Sequence, residues 1–144
     1  LIYEIAEIRL ALEPAAAAAA ARRATKNEIE ALRTIAAKFN DLNHSRESIA
    51  KVDLEFHLAV AKLSGNPFMR SASALIEAAL VISFKLSSPA ASSETIAEIS
   101  DNHMEIVNRI EAGDEVGAAD AMRKVIKVGE ERNYTAVDRE PTFV

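Results

Sequence analysis

Asp53 and His57 stand four residues apart in the run Asp53-Leu54-Glu55-Phe56-His57. In a helix that spacing projects both side chains from one face, about one turn apart. Imidazole nitrogen and carboxylate oxygen are both competent ligands for Zn²⁺ and other first-row divalent ions, and a rigid helix fixes their separation. His103 falls on the stripe set by Ile99, Ile106 and Ile110, so it is expected to point inward. An inward histidine needs a polar partner, and Asp53 and His57 are the candidates. The same spacing admits the plainer reading of a hydrogen-bonded or solvated pair. Two histidines and one carboxylate also match, in composition, the facial triad of non-haem iron oxygenases. A small all-α metal-dependent enzyme using this 2-His-1-carboxylate set is therefore the alternative reading.

Other polar residues have simpler explanations. His44, in the polar stretch Asn40 to Ser45, reads as a surface residue. Arg9 and Glu13 fit an exposed helical ion pair worth a few tenths of a kcal/mol. Arg123, Lys124 and Lys127 read as a solvated face. There is no Gly-rich phosphate loop, no nucleophilic serine in a strand-turn-helix context, and no Glu beside paired helical histidines as metalloproteases require.

Composition narrows the classes further. A length of 144 residues suits one domain with a real core. Hydrophobic residues make up 49% but aromatics only 5%, so the apolar content is mostly Ala, Leu, Ile and Val, which suits closely packed helices and not a β-sandwich. The balance of 17 Lys+Arg against 22 Asp+Glu gives a net charge of −5, the wrong sign for holding a phosphate backbone alone. The absence of cysteine excludes a disulfide framework, a thiolate metal site and a Cys nucleophile. Glu4, Glu7, Arg9 and Glu13 interrupt the opening segment, so it does not read as a leader peptide. Ala78 to Phe84 falls far short of the ~20 residues a bilayer span needs. The expectation is a cytoplasmic protein with no membrane partner. The chain opens without Met inside a helical pattern, which suggests that a further part lies upstream.

Six helices cover the chain. The first carries Ile2, Ile5, Leu12 and the run Ala15 to Ala21, with Pro14 as an expected kink. Thr25 with Glu28 forms a capping box that opens the second, through Ile29, Leu32, Ile35, Ala36 and Phe39. The third spans roughly Ser48 to Leu63 and stops at Ser64-Gly65-Asn66. Pro67 suits the first turn of the fourth, and Ser87 to Ser93 is the most loop-like interior stretch. The fifth runs from Ser93 or Glu94 to a stop at Gly113; the sixth, capped by Asp114, runs from Glu115 to about Asn133. Residues after Tyr134 read as a frayed tail, giving a bundle over 1–134 and a tail over 135–144.

A specific family pattern emerges from the ordered motifs. Glu7-Ile8-Arg9, Leu12-Glu13-Pro14-Ala15-Ala16 and Ala20-Ala21-Arg22-Arg23-Ala24-Thr25 resemble the opening of the FCD domain, the effector-binding domain of FadR-subfamily GntR transcription regulators. The resemblance continues through Asp53-Leu54-Glu55-Phe56-His57, Ser64-Gly65-Asn66, Asp101-Asn102-His103-Met104-Glu105-Ile106, Ala112-Gly113-Asp114 and Ala118-Ala119-Asp120-Ala121-Met122. It implies an all-α antiparallel bundle of about six to seven helices that senses a small organic acid, forms a homodimer, and controls DNA binding by an upstream winged helix-turn-helix domain absent from this chain. Many members hold a divalent metal through one Asp and three His. By that resemblance Asp53, His57 and His103 occupy the first three ligand positions, with Zn²⁺ or Ni²⁺ as the expected metal. The fourth position carries Val125, which has no lone pair. Either three protein ligands suffice, with water or effector filling the remainder, or metal affinity is lost and the cavity binds its ligand directly. Arg9 matches the family's arginine facing the effector, where a guanidinium pairs bidentately with a carboxylate. Asn66 matches the family's Gly-Asn and is an effector-contact candidate, with a helix stop as its other reading.

Overall fold

The computed structural model describes residues 1–86 and 93–139. Local sequence signals set each helix boundary. α1 (Ile2–Arg23) continues through Pro14, which is itself buried. The missing proline N–H leaves the carbonyl one turn back without its helical partner but does not end the helix. Thr25 caps α2 (Lys26–Ala37) by the expected reciprocal box: Glu28 N–H donates to Thr25 Oγ1 at 3.3 Å and Thr25 N–H donates to Glu28 Oε1 at 3.1 Å. A second box not anticipated from sequence, Ser45 with Ser48, starts α3 (Arg46–Leu63) two residues before Ser48. Serine in place of the usual Glu or Gln hides this signal. Gly65 then takes φ +67° in the turn to α4 (Pro67–Leu86).

α5 (Ser93–Glu111) turns into α6 (Glu115–Arg139) through Ala112–Asp114, with Gly113 at φ +68° and Asp114 Oδ1 accepting from Gly117 N–H at 2.9 Å. A turn this short makes α5 and α6 antiparallel neighbours. α6 continues past Tyr134 to Arg139, where the sequence suggests a frayed tail. The loop expected over Ser87 to Ser93 lies outside the described residues except for Ser93, the first residue of α5.

The fold is all-helical, with six helices and no strand among the described residues. α1 is its axis, packing against α3, α4, α5 and α6, and most extensively along α6. Ala16, Ala17 and Ala20 line that axis with no more than 1% exposure, so neighbouring backbones approach closely. Beyond them the main core gathers Leu32, Phe39, Phe56, Ile106, Ile110, Met122 and Ile126. A smaller apolar cluster of Ala61, Ile76 and Leu80 seats α4 against α3. No helix among the described residues is long and apolar enough to cross a membrane.

Burial separates the positions that carry stability from those that do not. Ile106→Ala, at a fully buried site on α5, is expected to lower the unfolding free energy by about 2–5 kcal/mol in urea titration. Val116→Ala, on the exposed face of α6, should change it by less than about 0.5 kcal/mol. Equal effects would contradict the packing described.

Candidate metal and carboxylate site

Three helices bring the polar residues of the interior together. α3 supplies Asp53 and His57, α5 supplies His103, and α1 supplies Arg9 and Glu13. Asp53, His57 and His103 each offer a ligand atom, and the three atoms lie within 4.8 Å of one another. Asp53 Oδ1 is 3.0 Å from His57 Nε2 and 3.0 Å from His103 Nε2. The three residues singled out from sequence therefore meet, as the helical spacing and the inward stripe require.

Each imidazole is held from its far side. His103 Nδ1–H donates to the Ile99 carbonyl at 2.7 Å, which turns Nε2 toward Asp53. His57 Nδ1 forms an ion pair with Glu13 Oε1, and neither atom has another polar partner. Anchoring Nδ1 on a carbonyl or carboxylate is how proteins fix the tautomer and aim of a ligating histidine. Aromatic rings complete the walls: Phe39 lies over His103 at 4.2 Å between centroids, and Phe56 meets His103 edge-on at 5.0 Å.

Arg9 and Glu13 are a correction to the exposed-pair reading. They are 6% and 1% exposed, joined by Arg9 Nε to Glu13 Oε2 at 2.6 Å, and Arg9 Nη2 stands 3.5 Å from His57 Nε2. The physical reason is register. Positions 9, 13, 16, 17 and 20 fall on one face of α1, and the alanines on it are core residues. That periodicity was the available signal for Glu13, which sequence reasoning did not select as a site residue.

Burial pushes the Glu13 carboxyl up, but the charges of His57 and Arg9 outweigh it and hold its pKa down to about 2. Burial likewise opposes charge on His57, yet Glu13 and Asp53 raise its pKa to about 9. Asp53, also desolvated, is held well below the usual carboxylate range by the two imidazoles. With His57 protonated, the set of Arg9, Glu13, His57 and Asp53 is neutral, the condition under which such charges tolerate burial.

The remaining candidates lie elsewhere. Asn66 Oδ1 accepts from Phe68 N–H at 3.0 Å, a cap on α4, and no hydrogen bond among the described residues links it to the cluster. His44 is outside it, with Nδ1 at 2.8 Å from Ser48 Oγ. Val125 is half-buried and packs on the apolar core. Arg123, Lys124 and Lys127 are exposed, as a solvated face requires.

Donor set and setting fit a divalent cation. Two imidazole Nε2 atoms and one carboxylate oxygen converge, both rings are pre-aimed, and the negative charge of Asp53 compensates a cation. These features define a helical bundle with a buried carboxylate–imidazole site on its axis. Residues 4–128 match the FCD domain model, and the chain belongs to that family. Among solved structures it is similar to Streptococcus agalactiae GntR, with 27% identity and a TM-score of 0.75 over 90% of this chain. The chain spans 58% of that protein's length. No curated protein matches it. The family and the structural likeness support a regulatory effector-binding domain.

The buried charges predict a pH profile for metal-free protein. Glu13 has a depressed value, so its stabilisation is present above pH 4.5 and lost as the pH falls toward 2; Asp53, also depressed, loses its stabilisation in the same direction. His57 has a raised value, so its stabilisation is complete below pH 6.5 and lost as the pH rises through 9. Urea unfolding of chelator-treated protein should therefore show a plateau between those limits. His57→Gln should flatten the decline between pH 6.5 and 9. An alkaline decline as steep in His57→Gln as in the native protein would contradict the assignment.

Proposed function

We propose that this domain is the effector sensor of a GntR-family transcription regulator. It binds a small organic acid on Arg9 with the help of a divalent metal, and controls DNA binding by a winged helix-turn-helix domain upstream. The observation that carries this reading is the convergence of Asp53 Oδ1, His57 Nε2 and His103 Nε2 beside the Arg9 guanidinium.

Asp53, His57 and His103 hold the metal, Zn²⁺ or Ni²⁺ by the nitrogen-rich donor set. By the family resemblance Val125 takes the fourth ligand's place in the sequence, so water or ligand oxygen would complete the coordination of a bound metal. The metal supplies Lewis acidity and charge toward an anionic ligand. Arg9 orients the ligand's carboxylate, since a guanidinium is a planar, permanently charged donor for that group. Glu13 keeps two tasks: it restrains Arg9 through Nε and holds the proton on His57 Nδ1.

Transmission follows from where these residues sit. Arg9 and Glu13 are on α1, the helix nearest in sequence to the upstream domain, so ligand contacts bias the position of the element that connects the two. A ligand that binds one arrangement of a homodimeric cytoplasmic regulator better than the other shifts operator affinity by about 1–3 kcal/mol of coupling.

Two measurements test this reading. Metal analysis after mild dialysis should find bound divalent metal in the native protein and little in His57→Ala; equal, negligible content in both removes the metal from the mechanism. A thermal-shift screen of small mono- and dicarboxylates should raise the melting temperature of native protein and not of Arg9→Ala. If no carboxylate does so, the acid-sensing reading fails.

A further inference from the structure

α4 contributes a buried hydroxyl that the site described above does not use. Ser83 is 6% exposed, and its Oγ has no hydrogen-bond partner. A serine inside a helix ordinarily satisfies itself on a carbonyl one turn back. Ser71 and Ser73 on the same helix do so, donating to Pro67 O at 3.2 Å and Arg70 O at 2.5 Å. Ser83 does not, and it lines a cleft between α1, α4 and α6 together with Ile2, Ile5, Ala6, Arg9, Ile126 and Glu130. The free room there is on the order of one water molecule, the size of a hydroxyl or ammonium group. Glu130 makes no ion pair among the described residues.

Three residues with different polar groups thus line one small space. Arg9 is a donor only, Glu130 an acceptor only, and the Ser83 hydroxyl is both. A simple carboxylate uses Arg9 and leaves the buried Ser83 hydroxyl without a partner, while the half-buried Glu130 keeps access to water. Leaving buried polar groups unpaired is what makes a site reject the analogue that lacks a hydrogen-bonding substituent.

We infer that this cleft is a specificity subsite, in which Ser83 and Glu130 read a hydroxyl or ammonium group on the ligand whose carboxylate Arg9 holds. The inference rests on the acid-sensing reading and sharpens it. The ligand class becomes hydroxy or amino acids, with unsubstituted acids binding more weakly.

Matched acids test it in calorimetric titration of the metal-loaded protein: succinate, malate and aspartate, with glutarate, 2-hydroxyglutarate and glutamate as a second series. Native protein should bind a substituted acid at least about fivefold more tightly than its parent, the worth of one net hydrogen bond. Ser83→Ala should reduce that preference for the hydroxy acids, and Glu130→Gln for the amino acids. Both variants should retain native affinity for the unsubstituted parents, which shows that they are folded. If the parents bind but native protein shows no preference, or the preference survives in both variants, the subsite is refuted and Ser83 holds water only. If no acid binds native protein while binding controls are sound, the acid-sensing reading itself falls, and this inference with it.

Discussion

The buried pairing of Arg9 with Glu13 and of Glu13 with His57 is the constraint around which the bundle is arranged. A carboxylate with 1% exposure is tolerable only if positive charge meets both of its oxygens, and here Arg9 reaches one and His57 the other. That requirement fixes the register of α1 against α3. Once set, it places Ala16, Ala17 and Ala20 in the core, and the small side chains on that face let α1 pack closely along α6. His57 Nε2 is then directed to Asp53, where His103 joins from α5. Removing one charge would leave its partner buried and unpaired, a larger loss than any single apolar contact in the neighbourhood.

Much of this was legible in the residues. The capping box at Thr25 and Glu28, the stop at Gly65 and the cap at Asp114 are local signals whose meaning does not depend on distant partners. The spacing of Asp53 and His57 and the apolar stripe around His103 placed three donors on inward faces of two helices. Their meeting at one point is a tertiary fact, anticipated by the need of an inward histidine for a polar partner and by the family resemblance. Glu13 was the harder residue. A charged pair one turn apart looks the same on a wet face and a buried one, and only the alanines further along the stripe distinguish them. Ser83 carried no signal, because an unsatisfied hydroxyl is defined by what surrounds it in space.

The Ala-rich, aromatic-poor composition acquires a structural sense in the same way. Of the few aromatic side chains, Phe39 and Phe56 are wholly buried and both touch His103, so a scarce residue type is concentrated where the imidazole must be kept from rotating. Alanine provides proximity and phenylalanine provides walls. Val125 belongs to that apolar lining, and it leaves the polar site to three donors drawn from α3 and α5.

One detail of the anchoring carries a consequence for ligand chemistry. His57 and His103 present the same atom to Asp53 at the same distance, yet one ring leans on a carboxylate and the other on a neutral carbonyl. A carboxylate behind an imidazole increases the electron density at its far nitrogen more than a carbonyl does. The two nitrogens are therefore inequivalent as electron donors, with His57 the stronger σ-donor toward a cation. A site that looks symmetric in distance is polarised in bonding, with its electron-rich side toward α1 and its electron-poor side toward α5.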